Sequence, residues 1–130
     1  MRIRILSVDD NAMLREGIAA IIESQRDMVL VSQAVNGVEA IQQYRNLKPD
    51  VTLMDLRLPD LNGIDVMIAI RREFPDARVI MLTTFEDDFE NQRALKAGAS
   101  GYLLKSMPPN ELLEAIRRVH AGSDGNSRLR

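Results

Sequence analysis

Apolar residues arrive along this chain in two alternating textures. Five short runs, "IRILSV" (3–8), "MVLVSQAV" (28–35), "VTLM" (51–54), "RVIML" (78–82) and "GYLL" (101–104), have the length and the β-branched or bulky content of strands. Between them, apolar residues return at helical spacing. Leu14, Ile18, Ile21 and Ile22 make one stripe. Val38, Ile41 and Tyr44 make a second, opened by Asn36 with Glu39 three residues on, in the manner of a capping box. Met67, Ile70 and Phe74 make a third, closed by Pro75. Leu112, Ile116 and Val119 make the last, with Pro108 and Pro109 near its first turn. The segment 86–97 is the least amphipathic, with only Phe89, Ala94, Leu95 and Ala97 to bury, and is predicted to be the most loosely held helix.

Strict alternation of strands and helices predicts an α/β fold: a doubly wound, five-stranded parallel sheet with right-handed crossovers and helices on both faces. Near-continuous apolar strands are what such a sheet requires. The stretch "GSDGNSRLR" (122–130) is polar and glycine-rich, and reads as a linker or frayed end.

Composition narrows the function. With 130 residues, 45% hydrophobic and 28% charged, the chain is a single folded domain rather than a disordered one. Seventeen basic residues against nineteen acidic ones argue against direct nucleic-acid binding by this chain. The pairs Arg71-Arg72 and Arg117-Arg118 read as solvated helix faces. There is no cysteine, hence no disulfide or thiolate chemistry. The first ten residues hold charges too close together for a signal peptide, and no run of 18 apolar residues occurs, so the expected location is the cytoplasm, off the membrane.

The residues that close the strands carry the chemistry. The first run ends in Asp9-Asp10, the third in Asp55, the fourth in Thr83-Thr84 and the fifth in Lys105. In an open parallel sheet these ends share one edge, where ligands bind. Singly, Asp10 or Thr84 could cap a helix and Lys105 could be solvated; together they describe a site. Three clustered carboxylates repel, and Mg2+, a hard cation that takes oxygen ligands, relieves them. Three carboxylates, one magnesium ion and Lys105 come to formal neutrality. Carboxylates, a hydroxyl, a lysine and magnesium suit phosphoryl transfer, with Asp55 on the central strand the best-placed nucleophile.

These residues stand in "VDDN" (8–11), "NGVEA" (36–40), "DLRLPDLNGID" (55–65), "MLTTFEDD" (81–88) and "KAGASGYLLK" (96–105). In order and spacing the chain resembles the receiver domain of bacterial two-component response regulators. The last pieces, with "NELLEAIRRVHAG" after them, resemble its NarL/FixJ subfamily. The resemblance implies a flavodoxin-like (βα)5 domain over 1–121 with strand order 2-1-3-4-5, and 122–130 leading toward an output domain. It implies Asp55 as phospho-acceptor and Mg2+ held by Asp10, Asp55 and the Arg57 main-chain carbonyl, with Asp9 acting through water. Thr83 and Lys105 would engage the phosphoryl group, and Thr83 with Tyr102 would form the switch. The implied partners are a sensor histidine kinase, a C-terminal helix-turn-helix domain absent here, and a second copy on phosphorylation. Steady enzymatic turnover is not expected. The polar tail favours a fragment over a lone receiver. Ser106 stands where many receivers have proline, which leaves open a cis bond after Lys105.

Three rivals fit less well. A haloacid dehalogenase-type phosphatase needs a second aspartate two residues after the first, where Arg57 stands. A flavodoxin-like FMN carrier needs a phosphate loop where "DDNAML" would repel one. A pseudo-receiver acting by protein binding alone would have no use for the intact acidic set. Arg57, Thr84 and Phe85 border the site as candidates for tuning acyl phosphate lifetime. His120 has no second ligand nearby; Asp60, Asp65 and Asp87-Asp88 read as turn and helix-start residues, and Gly98 and Gly101 as turn glycines before the last strand.

Overall fold

In a computed structural model, which describes residues 2–84 and 87–122, the two textures become ten alternating elements. They are β1 (Ile3–Val8), α1 (Ala12–Glu23), β2 (Met28–Ala34), α2 (Gly37–Leu47), β3 (Val51–Asp55), α3 (Gly63–Glu73), β4 (Val79–Thr83), α4 (Asp88–Lys96), β5 (Gly101–Leu104) and α5 (Pro109–His120). All strand pairs are parallel, in the order β2-β1-β3-β4-β5. This is the expected doubly wound, flavodoxin-like arrangement. Phe85 and residues 123–130 of the tail lie outside the described residues. Among the described residues no peptide bond is cis, so the bond after Lys105 is trans. None of their helices is long and apolar enough to cross a membrane.

Alternation of side chains splits the core into two layers. Ile3, Ile5, Val51, Leu53, Ile80 and Leu82 pack against α1 and α5 through Ile18, Ile22, Leu112 and Ile116. Leu6, Val8, Met54, Val79, Met81 and Tyr102 pack against α2, α3 and α4 through Ala40, Tyr44, Met67, Ile70 and Ala94. The central strands β3 and β4 are buried over their whole length, as a sheet covered on both faces demands.

Two expected stripes are differently phased. In α2, Val38 is exposed, and Gly37, Ala40 and Tyr44 form the buried face. The reason is close approach: a Cβ on Gly37 would lie 2.7 Å from Val66 Cγ2, so α2 turns its small residues inward. Its start is also a variant of the capping box. The Asn36 side chain accepts from Glu39 N–H, but the Glu39 carboxylate accepts from Val35 rather than from Asn36. In α4, Phe89 is 75% exposed, and Asn91 and Ala94 are the buried residues. Gly98 has φ +110 and serves the expected turn, whereas Gly101 lies within β5 without a positive φ.

Candidate functional site

Asp55 is the last residue of β3, and its mount is closed from behind. Leu56 N–H donates to the Leu82 carbonyl (2.9 Å), and Gly63 N–H donates to the Leu56 carbonyl (2.7 Å). Arg57 and Asn62 form an antiparallel bridge between them. The first turn of α3 then passes so near β3 that a Cβ on Gly63 would overlap the Asp55 carbonyl oxygen. Only glycine allows that approach.

The strand ends meet as expected. Lys105 Nζ lies 3.0 Å from Asp55 Oδ1 and 2.9 Å from Asp9 Oδ2. Arg57 N–H donates to Asp55 Oδ1 (3.2 Å), and Asn11 N–H donates to Asp9 Oδ1 (2.8 Å). Asp9 and Asp55 keep only 1% and 5% of their exposure, while Asp10 stands at the rim, open to water. One carboxylate oxygen from each of the three lies within 4.8 Å of the others.

Burial is the largest influence on Asp55 and pushes its carboxyl above the usual range. The Lys105 ammonium opposes this, the Asp9 charge adds to it, and the net result is upward. Burial alone would lower Lys105, but its hydrogen bonds and charge pairing with Asp55 and Asp9 outweigh burial and raise it. The lysine is therefore firmly charged, yet one ammonium does not compensate two buried carboxylates and a third at the rim. An all-oxygen donor set short of positive charge and open to solvent on one side fits a hard divalent cation such as magnesium.

Thr83 and Tyr102 belong to the other layer. The Thr83 carbonyl accepts from Lys105 N–H (2.7 Å), which ties the ends of β4 and β5 together. Its side chain, next after Leu82, turns to the layer that holds Tyr102, and register sets Tyr102 beside Met81 and Thr83 beside Leu104. Both residues are buried, so the Tyr102 ring is turned inward in this structure. Thr84 is exposed. Neither Asp10 nor Thr84 caps a helix: Asn11 caps α1 and Asp87 caps α4.

Four contributors were not anticipated. Arg15 donates its guanidinium to the Asp9 carbonyl (2.7 Å), and the Asn11 amide holds the Asp9 carboxylate. Gly63 admits α3, and Asp60 reaches 23 residues back to the start of α2. The asparagine of "VDDN", standing before a helical stripe, was a readable capping signal. Arg15 offered no local one.

A lysine-paired acidic cluster at the carboxyl edge of a 2-1-3-4-5 sheet defines a class, the flavodoxin-like α/β domain with its site where strand order reverses. The response regulator receiver domain family matches residues 5–117, and the chain belongs to that family, a signalling module of two-component systems. It is 39% identical over 120 residues to the transcriptional regulatory protein LnrK of Bacillus subtilis, covering 92% of this chain and 54% of LnrK. It is 38% identical over 122 residues to the response regulator protein VraR of Staphylococcus aureus, covering 94% of this chain and 58% of VraR. The chain thus spans little more than half the length of these relatives. Among solved structures, a LuxR-family two-component response regulator from Aurantimonas sp. SI85-9A1 is 37% identical with a TM-score of 0.92, over 95% of this chain and 89% of that one. The receiver domain of the putative response regulator NarL from Mycobacterium tuberculosis is 30% identical with a TM-score of 0.88, over 93% and 98%.

Proposed function

We propose that this chain is a phosphorylation switch in which Asp55 accepts a phosphoryl group from the phosphohistidine of a sensor histidine kinase. The observation that carries the reading is a buried strand-end carboxylate 3.0 Å from a lysine, with two further carboxylates in reach of one cation. An Asp55 oxygen attacks phosphorus, the P–N bond to the imidazole breaks as the new P–O bond forms, and the imidazole leaves. Asp10, Asp55 and the Arg57 main-chain carbonyl would hold Mg2+, with Asp9 acting through water. The bound ion supplies neutralising charge for the phosphoryl oxygens. Lys105 and the Thr83 hydroxyl engage the transferred group.

The response follows from the layer change at β4. A pull on Thr83 acts on the layer holding Tyr102 and α4, and alters the α4–β5–α5 face. Moving such a switch from mostly off to mostly on takes about 5.5 kcal/mol of preference for the active state. Residues 1–121 form the receiver unit, and 122–130 lead to a helix-turn-helix output domain whose DNA binding and dimerisation the altered face controls. The names of LnrK, a transcriptional regulatory protein, and VraR, a response regulator, support this output. The switch works in the cytoplasm and releases no product in steady turnover.

Incubation with acetyl phosphate and Mg2+, followed by intact mass measurement, tests the reading. The protein gains one phosphoryl group, and Asp55→Asn gains none. Uptake by Asp55→Asn would overturn the assignment.

A further inference from the structure

Asp60 lies at the tip of the loop that follows Asp55, outside the acidic cluster, and each of its carboxylate oxygens accepts a backbone amide of α2. Oδ1 accepts from Gly37 N–H (2.8 Å) and Oδ2 from Val38 N–H (3.1 Å), the first two amides of α2. The third, Glu39 N–H, is served locally by Asn36. An N-cap side chain satisfies one or two of the free amides at a helix start; here the remainder is taken by a carboxylate from another element. The Gly37 amide, ahead of the other bonds, holds the Asp60 carboxyl below its ordinary value. The negative charge is also in the favourable place at a helix N-terminus.

The geometry makes this more than a cap. The loop's base is closed by the Arg57–Asn62 bridge and by Gly63 N–H on the Leu56 carbonyl. Its tip is seated on α2 through Asp60 and through Leu61, whose Cδ1 would lie 2.9 Å from a Cβ on Gly37. The loop is thus fastened at both ends, and Arg57, whose N–H holds Asp55 Oδ1, sits at the fastened base.

We propose that Asp60 is a positioning residue for the phospho-acceptor site: by gripping the first turn of α2 it fixes the loop that carries the Arg57 main chain beside Asp55. The inference rests on the reading of Asp55 and its cation given above. Asp60 touches neither the phosphoryl group nor the ion, and acts through the loop backbone.

The test compares Asp60→Ala and Asp60→Asn with Asn36→Ala, which weakens the same helix start but leaves the Asp60 grip intact. The chain has no tryptophan, so Mg2+ affinity is read by calorimetry, beside the rate of phosphorylation from acetyl phosphate at fixed Mg2+. Asp60→Ala weakens Mg2+ binding by about tenfold, as loss of an outer support of a metal site does, and slows phosphorylation. Asp60→Asn, which keeps one acceptor oxygen, loses less. Asn36→Ala lowers the denaturation midpoint and leaves Mg2+ affinity and rate near wild type. Wild-type affinity and rate in Asp60→Ala, or equal losses in Asn36→Ala, would overturn the proposal. A wild-type protein that neither binds Mg2+ nor takes up phosphate would instead overturn the underlying reading of Asp55.

Discussion

The two helices that flank β4 on one face of the sheet are anchored very differently. α3 buries Gly63, Ile64, Val66, Met67 and Ile70, and its first turn touches the Asp55 carbonyl. α4 buries only Asn91 and Ala94, leaves Phe89 in water, and reaches α3 through an exposed Arg93–Asp65 pair 4.0 Å apart. Exposed pairs of that kind contribute about 1 kcal/mol at most. The Asp55 carboxylate therefore stands on a rigid mount, whereas α4, the element that the proposed switch would move, has little apolar burial to give up.

Four substitutions probe that contrast. Gly63→Ala strikes the mount directly. It should cost about 3 kcal/mol in urea denaturation, the upper end of the usual range for overpacking, since the new methyl meets backbone that cannot yield. Ile70→Ala, deeper in α3, should cost about 2–5 kcal/mol through lost burial and the cavity left behind. Near-wild-type stability in either would mean that α3 is not the rigid partner described.

Asp55→Asn reports on the charge held by the mount. With cations chelated, the variant should have the higher thermal midpoint at neutral pH. The sign follows from linkage: a carboxyl raised above its unfolded value of 3.8 contributes stability below that value and loses it as pH rises through the raised one. The variant's advantage should be absent in acid, open above pH 3.8 and then level off. A constant offset across that range would contradict the assignment. Phe89→Ala, on α4, should change stability by no more than about 0.5 kcal/mol, the usual range for surface positions. A larger loss would mean that Phe89 is buried in solution.

Much of this was legible in the chain. Continuous apolar runs identified all five strands, because strands covered on both faces cannot alternate. The polar residues ending those runs located Asp9, Asp10, Asp55 and Lys105 at one edge, because parallel topology alone aligns strand ends. Legibility failed where contact is non-local. A stripe of apolar residues fixes that α2 is helical but not which way it faces; that was decided by how closely Gly37 meets Val66. Phe89 was expected inside as one of the few apolar residues of its segment, yet α4 turns Asn91 and Ala94 inward and leaves the ring 75% exposed, a phase that so weak a stripe does not specify. Asp60 read as a turn residue, and its bonds to Gly37 and Val38 exist only once two loops have met. Gly63 stood within "DLRLPDLNGID" without a local sign that α3 meets the back of Asp55 there.

The division of the sheet into two layers has a consequence for how such a domain can diversify. Asp9, Asp55 and Lys105 continue the layer shared with α1 and α5, while Thr83 and Tyr102 belong to the layer shared with α2, α3 and α4. Substitutions beneath α1 or α5 fall in one mutational neighbourhood, and those beneath α4 in another. Lineages can therefore change what approaches the acidic corner, or what the far surface offers, largely independently. The two neighbourhoods meet at adjacent residues such as Leu82 and Thr83, which one peptide unit joins across the sheet.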